Sequence, residues 1–332
     1  MSPPTFSVVT CCYNQGQFLP DCFAAVAAQR YPQVEHIVVD DGSTDDTRAI
    51  CARYPHVRYI HQANAGQSAA LNRGFAEATG DIIAWVNSDD YFAPGAFRRV
   101  ARELDPARGR WIVAGASQVV DAAGGFQWLL PNGPVPWLRL LFHPELYRRQ
   151  GHTAMPCQPS VFFHRKVWQD LGPLDTRLKY AMDYDYWLRA LTRGYTFHYV
   201  PQIFSNYRYH ATSNSNQGFD TFLAEWQAVS DRFRAELPAG RRALAAAWWV
   251  YARLESQFVR RDRAARTALA AEDRAAAAAG RGGAGWPARA RAVAHAPWLP
   301  ARLAWRRLRG DPGFRLRLEA ARIADALREE AP

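Results

Sequence analysis

The chain lacks the features that would set it apart from ordinary globular enzymes. It has no stretch of 18 uncharged apolar residues, so no membrane-spanning helix is expected. Its opening Met1-Ser2-Pro3-Pro4 has neither the basic start nor the apolar middle of a secretory leader. The expected location is therefore cytoplasmic, with a peripheral position on the inner face of the cell membrane as the variant. Five cysteines, Cys11, Cys12, Cys22, Cys51 and Cys157, are odd in number and match no zinc or thioredoxin-type spacing. No internal repeat is visible. Apolar residues are not scarce: 48% of 332 residues are hydrophobic, which excludes disorder along the whole length and supplies a large core.

Charge is unevenly spread. The net charge is +10, but residues 1–217 carry 20 Lys/Arg against 18 Asp/Glu, and residues 218–332 carry 21 against 13. Basicity thus belongs to the tail. A basic tail suits phosphates, anionic lipid or nucleic acid, and the count alone does not choose between them.

Short apolar runs alternate with helical stretches in the first hundred residues. Strands are expected at Phe6–Thr10, His36–Val39, Val57–Ile60 and Ile82–Val86. Helices are expected at Leu19–Gln29, at Thr44–Tyr54 with Ser43 or Thr44 as cap, at Ser68–Thr79 with Gly80 as stop, and at Pro94–Leu104. This order predicts an α/β sandwich with a mostly parallel central sheet, followed by a mainly helical C-terminal region. Further strands are expected at Trp111–Val120, Ser160–His164 and Phe197–Val200, with loops and short elements over 121–156 and a helix at Tyr184–Thr192. Beyond residue 218, Ala- and Arg-rich helices are expected at Phe219–Glu236, Arg241–Gln257, Arg261–Ala279 and Arg315–Glu330. Residues 1–217 read as one α/β domain and 218–332 as a basic helical region. Between 281 and 310, seven arginines interleave with Trp286, Trp298 and Trp305 and no acid occurs. That stretch suits simple helix packing first, an anionic membrane surface second and nucleic acid last.

Acidic residues fall at the ends of two of these strands, where open parallel sheets bind ligands. Asp40 and Asp41 precede Gly42, Ser43 and Thr44. They are either a turn with a helix cap or acceptors for a base N–H and ribose hydroxyls. Asp89 and Asp90 follow Asn87 and Ser88. Crowded carboxylates need solvent or a cation, and Mg²⁺ or Mn²⁺ bridging them to a diphosphate is the chemical remedy. Asn64, Gly66 and Gln67 open a helix whose free amides favour an anion, with Arg73 further along it. Asp183 and Asp185 flank Tyr184, and two residues' spacing does not put both on one helix face. One should enter a cleft as a base for a hydroxyl nucleophile while the other caps or orients. Arg208, His210, Ser213 and Ser215 form a late polar cluster, with His210 able to complete a metal shell and Arg208 to pair with a phosphate. Each motif also has a purely structural reading.

Taken together, FSVVTCCYNQGQFL (6–19), HIVVDDGSTDDT (36–47), HQANAGQSAALNRGF (61–75), GDIIAWVNSDDYFAPGA (80–96), CQPSVFFHRKVWQDLGPLD (157–175) and YAMDYDYWLRA (180–190) resemble the family-2 inverting glycosyltransferases of the GT-A fold. The resemblance covers roughly residues 6–215 and implies transfer of a sugar from a nucleoside-diphosphate sugar to an acceptor hydroxyl. Thr10, Tyr13, Asn14, Asp40, Asp41, Asn64, Gly66, Gln67, Arg73, Asn87, Ser88, Asp89 and Arg208 would contact the donor. Asp89, Asp90 and His210 would hold a divalent cation, although Asn87 stands where the family's first metal-motif acid is usual. Asp183 would be the base, with Met182 in place of the usual Glu. Gln158 and Trp187 would meet the acceptor, a glycan or lipid-linked glycan of the cell envelope. The alternatives are nucleotidyl transfer onto a sugar phosphate and a non-catalytic module that binds nucleotide sugars or glycans.

Overall fold

The computed structural model describes residues 3–130, 137–150, 155–211, 213 and 219–249. The chain divides into two compact units, Met1–Ala235 and Glu236–Pro332. In the second unit residues 239–249 are helical. Ser215, the helices expected over 261–279 and 315–330 and the Arg- and Trp-rich stretch lie outside the described residues. Among the described residues no helix is long and apolar enough to cross a membrane.

The first unit is built on one sheet. Strand β1 (Phe6–Cys12) is buried at all seven positions, as a central strand covered on both faces must be. It pairs in parallel with β2 (Val34–Asp40) and β4 (Ile82–Trp85), and β2 pairs in parallel with β3 (Val57–His61). Beyond β4 the pattern changes. β8 (Val161–His164) is antiparallel to both β4 and β6 (Ile112–Val120), while β9 (Phe197–Arg208) is parallel to β6. Short β5 (Tyr91–Phe92) pairs with β9, and β7 (Phe126–Leu130) with the far end of β6, both antiparallel. The expected mostly parallel sheet is therefore corrected to a mixed one: a parallel half, β3-β2-β1-β4, joined to a half in which antiparallel pairs predominate.

Helices cover both faces, and residue parity along β1 decides which. Phe6 and Val8 enter a core with Cys22 and Val26 of α1 (Leu19–Ala28) and Phe97 and Val100 of α4 (Ala96–Glu103). Phe6 and Phe97 stack with ring centroids 4.6 Å apart. Val9 points the other way, against Gly74 of α3 (Gln67–Glu77), where an added Cβ would lie 2.4 Å from its methyl group. On that face Phe75 meets Trp85, Phe163 and Trp168 of α7 (Arg165–Leu171). Phe163 in turn meets Tyr186 and Trp187 of α8 (Met182–Thr192).

Two sequence readings of helix ends change. α2 is only Thr47–Cys51, and its preceding side chain makes no cap bond. Asp45 is instead shared between the Thr47 N–H and the Gly16 N–H, which ties the loop after β1 to the start of α2. Gly80 does not stop α3, which ends at Glu77. Its smallness serves a close approach to β1, because a Cβ there would lie 2.7 Å from the Ser7 nitrogen. Beyond β7, α5 (Trp137–Leu141), α6 (His143–Gln150) and α9 (Phe219–Glu236) are the other helices of more than one turn described before residue 239.

Candidate active site

A cleft of about 1640 Å³ opens above the carboxyl ends of the parallel strands. Its lining brings together Tyr13, Asn14, Asp41, Asn64, Gly66, Gln67, Asn87, Asp89, Asp90, Gln158 and Asp183, which are scattered over 170 positions of sequence. The remaining expected site residues fall elsewhere.

The two members of each acid pair have different partners. Asp40 is buried; its Oδ1 accepts the Ser43 N–H at 2.8 Å and its Oδ2 the Tyr59 hydroxyl at 2.5 Å. Burial raises its pKa, but the bonds from Ser43 and Tyr59 outweigh this and hold the carboxyl below its ordinary value. Asp40 thus pins the turn, while Asp41 lines the cleft. Asp41 Oδ1 accepts from the Ala65 N–H and the Gln62 amide, and its Oδ2 from the Gly66 N–H at 2.8 Å. Two amides that were expected to be free for an anion are therefore committed to Asp41. Gly66 makes the geometry possible with φ of +90°, which side-chain-bearing residues rarely adopt. Asn14 ties the opposite loop down, its Oδ1 accepting the Thr44 N–H at 2.8 Å.

Asp89 and Asp90 are also unlike. Asp89 lines the cleft, and its Oδ2 lies 3.0 Å from Nε2 of the buried His210, which is outside the lining. Asp90 is buried, its Oδ1 accepting the Arg208 N–H at 2.9 Å. Burial and then the neighbouring Asp89 push its pKa well above the carboxylate range. Asp90 thus spends one oxygen on the Arg208 backbone, whereas Asp89 lies beside His210. Among the described residues no group of three or more His, Cys, Asp or Glu side chains is gathered to hold a metal. The Asp89 carboxylate, with the His210 imidazole beside it and Asp90 next in sequence, would nevertheless suit a Mg²⁺ or Mn²⁺ ion. Asn87 is a hub beside them: its Oδ1 accepts from Gln67 and Trp85, and its Nδ2 donates to Gln158.

Asp183 lies in the first turn of α8 and lines the cleft. Burial pushes its carboxyl up to about 6. Asp185 is buried and pairs with Arg189 at 2.9 Å and with Arg232 of α9. Ahead of α8, the backbone N–H groups of Lys179, Tyr180 and Ala181 all donate to the Glu225 carboxylate of α9, at 3.1, 2.7 and 2.9 Å. Sequence reasoning missed Glu225, because nothing in its helical surroundings announces a partner 45 residues earlier.

Five expected contacts are corrected by burial or exposure. Thr10 is fully buried and bonded to His36 at 3.0 Å. Ser88 is buried and donates to Gln15 at 2.6 Å. Arg73 is exposed on α3 and does not line the cleft. Arg208 is buried, paired with Asp21 at 2.6 Å and set over the rings of Phe18 and Tyr91. Strand alternation explains this: its neighbours Tyr207 and Tyr209 line the cleft and Arg208 points away. Trp187 is fully buried against Phe163, Tyr186 and Phe197, so no acceptor can touch it.

A half-parallel α/β sandwich with carboxylates around a cleft at the strand ends is an architecture suited to nucleotide ligands. Residues 7–172 match the profile described as glycosyl transferase family 2, and the chain belongs to that family. It is 25% identical over 240 residues to an uncharacterized glycosyltransferase of Rickettsia typhi, covering 70% of this chain and 73% of that protein. It is 27% identical over 222 residues to the chondroitin synthase of Escherichia coli, covering 65% of this chain and 31% of that protein. It likewise spans only 36% of the length of an uncharacterized glycosyltransferase of Rickettsia felis, at 26% identity over 64% of this chain. The fold is that of S. aureus TarS 1–349 in complex with UDP-GlcNAc, with a TM-score of 0.58 at 18% identity over 74% of this chain and 71% of that one.

Proposed function

We propose that the chain is an inverting glycosyltransferase that moves a sugar from a nucleoside-diphosphate donor to an acceptor hydroxyl by direct displacement, in cell-surface glycan assembly. One observation carries the reading: Asp41, Asp89 and Asp183, from three distant segments, line a single cleft over the strand ends. The relative solved with UDP-GlcNAc supports a donor of that kind.

In this reading the loop braced by Asp41 and Asn14 receives the base and ribose. Asp89 and His210 hold the cation, which when bound neutralises charge developing on the departing diphosphate. Asp183 accepts the proton of the acceptor hydroxyl as that oxygen attacks the anomeric carbon. An alcohol is far too weak an acid to ionise unaided, and a carboxylate raised to about 6 is a better base than an ordinary one while still ionised at pH 7. The attack forms the new C–O bond on the face opposite the breaking one, so the configuration inverts and no covalent enzyme intermediate forms.

Product analysis tests this against nucleotidyl transfer. Incubation with UDP-, GDP- and dTDP-sugars and Mn²⁺ should release nucleoside diphosphate, and the product anomer should be inverted relative to the donor. Release of pyrophosphate, or retention at the anomeric carbon, would overturn the mechanism.

A further inference from the structure

Among the described residues, the exposed large apolar side chains are Tyr13, Phe126, Trp128, Leu129 and Tyr209. Trp128 is 48% exposed and Tyr209 38%, and their ring centroids lie 6.2 Å apart. Trp128, Leu129 and Tyr209 also line the cleft that contains Asp183. Exposed aromatic clusters of this kind mark binding surfaces, whereas apolar residues scattered singly need no explanation.

Strand register shows what the cluster is part of. Ala114 of β6 pairs with Val161 at the start of β8, level with the end of β4. β6 then continues to Val120, paired with β7 on one side and β9 on the other. Six residues of strand, about 20 Å, therefore stand beyond the carboxyl ends of the parallel half. In the sheet order, β2 with Asp41 lies towards one side, β4 with Asp89 lies between, and this ribbon lies towards the other. The cleft is also larger than the roughly 300–1,000 Å³ that one small ligand needs, so it has space for a second substrate.

We propose that the β7–β9 ribbon is the acceptor wall, and that it takes a saccharide whose terminal ring lies against Trp128 with Tyr209 beside it. The proposal rests on the glycosyltransferase reading and adds the acceptor's seat to it. A pyranose presents a face of C–H groups, which the negative face of an indole attracts, and a rim of hydroxyls, which needs polar partners. The cleft offers both, with Asp183 and Arg139 in the same lining. An acyl chain would require an unbroken apolar surface, and those charged groups interrupt it.

The test uses the full chain and needs no turnover. Saturation-transfer NMR against a panel of soluble oligosaccharides ending in hexose, N-acetylhexosamine or uronic acid should find binders. Trp128→Ala should weaken the best binder at least about ten-fold, and Trp128→Phe should restore most of the affinity. Calorimetry with UDP, GDP and dTDP plus Mn²⁺ reads the donor end separately and should be unchanged by Trp128→Ala. The proposal is overturned if no oligosaccharide binds the unmodified chain, or if Trp128→Ala leaves the binder's affinity unaltered. It is equally overturned if loss of Trp128 instead abolishes binding to phosphatidylglycerol vesicles or self-association. Absence of nucleotide binding by the unmodified chain would sink the glycosyltransferase reading while the oligosaccharide result still decides the wall.

Discussion

The two halves of the sheet do different work by different means. In the parallel half, β1, β2 and β3 end in register, and loops after β1, β2 and β4 bring Asn14, Asp41 and Asp89 to one cleft. Asp41 there is held by backbone N–H groups of the loop after the neighbouring strand β3, those of Ala65 and Gly66. In the other half, strands are staggered, and the candidate base is held by long-range contacts. Glu225 grips the backbone before α8 from 44 to 46 residues away, and Arg232 grips Asp185 from 47. On the proposed reading, the parallel half would cradle the nucleotide and the staggered half would seat the acceptor.

That contrast predicts separable defects. The largest effect should come from Asp183→Asn, with transfer falling on the order of 10³-fold while donor affinity stays within about two-fold. The same variant should be more heat-stable at pH 8. The folded carboxyl, at about 6, lies above its ordinary 3.8, so the folded state is penalised as pH rises from 3.8 to 6 and fully so above 6. Removing the charge removes that penalty, which differential scanning fluorimetry should show as a gain that is larger at pH 8 than at pH 5, where the penalty is only partly developed.

Asp89→Asn and His210→Ala come next, on the parallel side. Each should cost about 10²-fold in kcat/KM and weaken Mn²⁺-dependent nucleotide binding. EDTA should have the same effect on the unmodified chain. Loss of transfer with intact cation dependence would break the assignment.

Smaller again, Glu225→Gln should lower kcat about ten-fold with donor affinity retained, because an amide cannot serve three N–H donors as a carboxylate does. A displaced acid limb in its pH–rate profile would distinguish positioning of Asp183 from general loosening. In the unmodified chain that limb should fall tenfold per pH unit below about 6. The smallest effect on chemistry should follow Asp21→Asn. It leaves the buried Arg208 without its carboxylate and should cost about 1–3 kcal/mol of stability by denaturant titration. Transfer by the folded fraction should be nearly normal, since Arg208 faces away from the cleft.

Legibility in the sequence followed the same divide. The parallel half could be read because each strand is a short β-branched run that ends in a polar motif, and its loops are local. Asp41, Asn87 and Asp89 were recognisable for that reason. The split within each acid pair was not: Asp40 and Asp90 look like their neighbours, and only the partners Tyr59 and Arg208, 19 and 118 residues away, show that they are scaffold. β9 was read as four residues and is twelve, because Pro201, Gln202 and Asn206 interrupt its apolar pattern while β6 supplies the pairing. Trp187 was misplaced because an aromatic beside a candidate base looks the same whether it faces the cleft or the core. Trp128 drew no notice because loop-like composition on either side concealed an edge strand.

The most direct test of the division is calorimetric titration of UDP, GDP and dTDP with Mn²⁺ into Asp89→Asn and Asp183→Asn, beside the transfer rate of each. The account predicts that both variants are nearly inactive, that Asp89→Asn loses the cation-dependent part of binding, and that Asp183→Asn binds like the unmodified chain. Equal loss of nucleotide binding in both variants, or substantial transfer by Asp183→Asn, would contradict it.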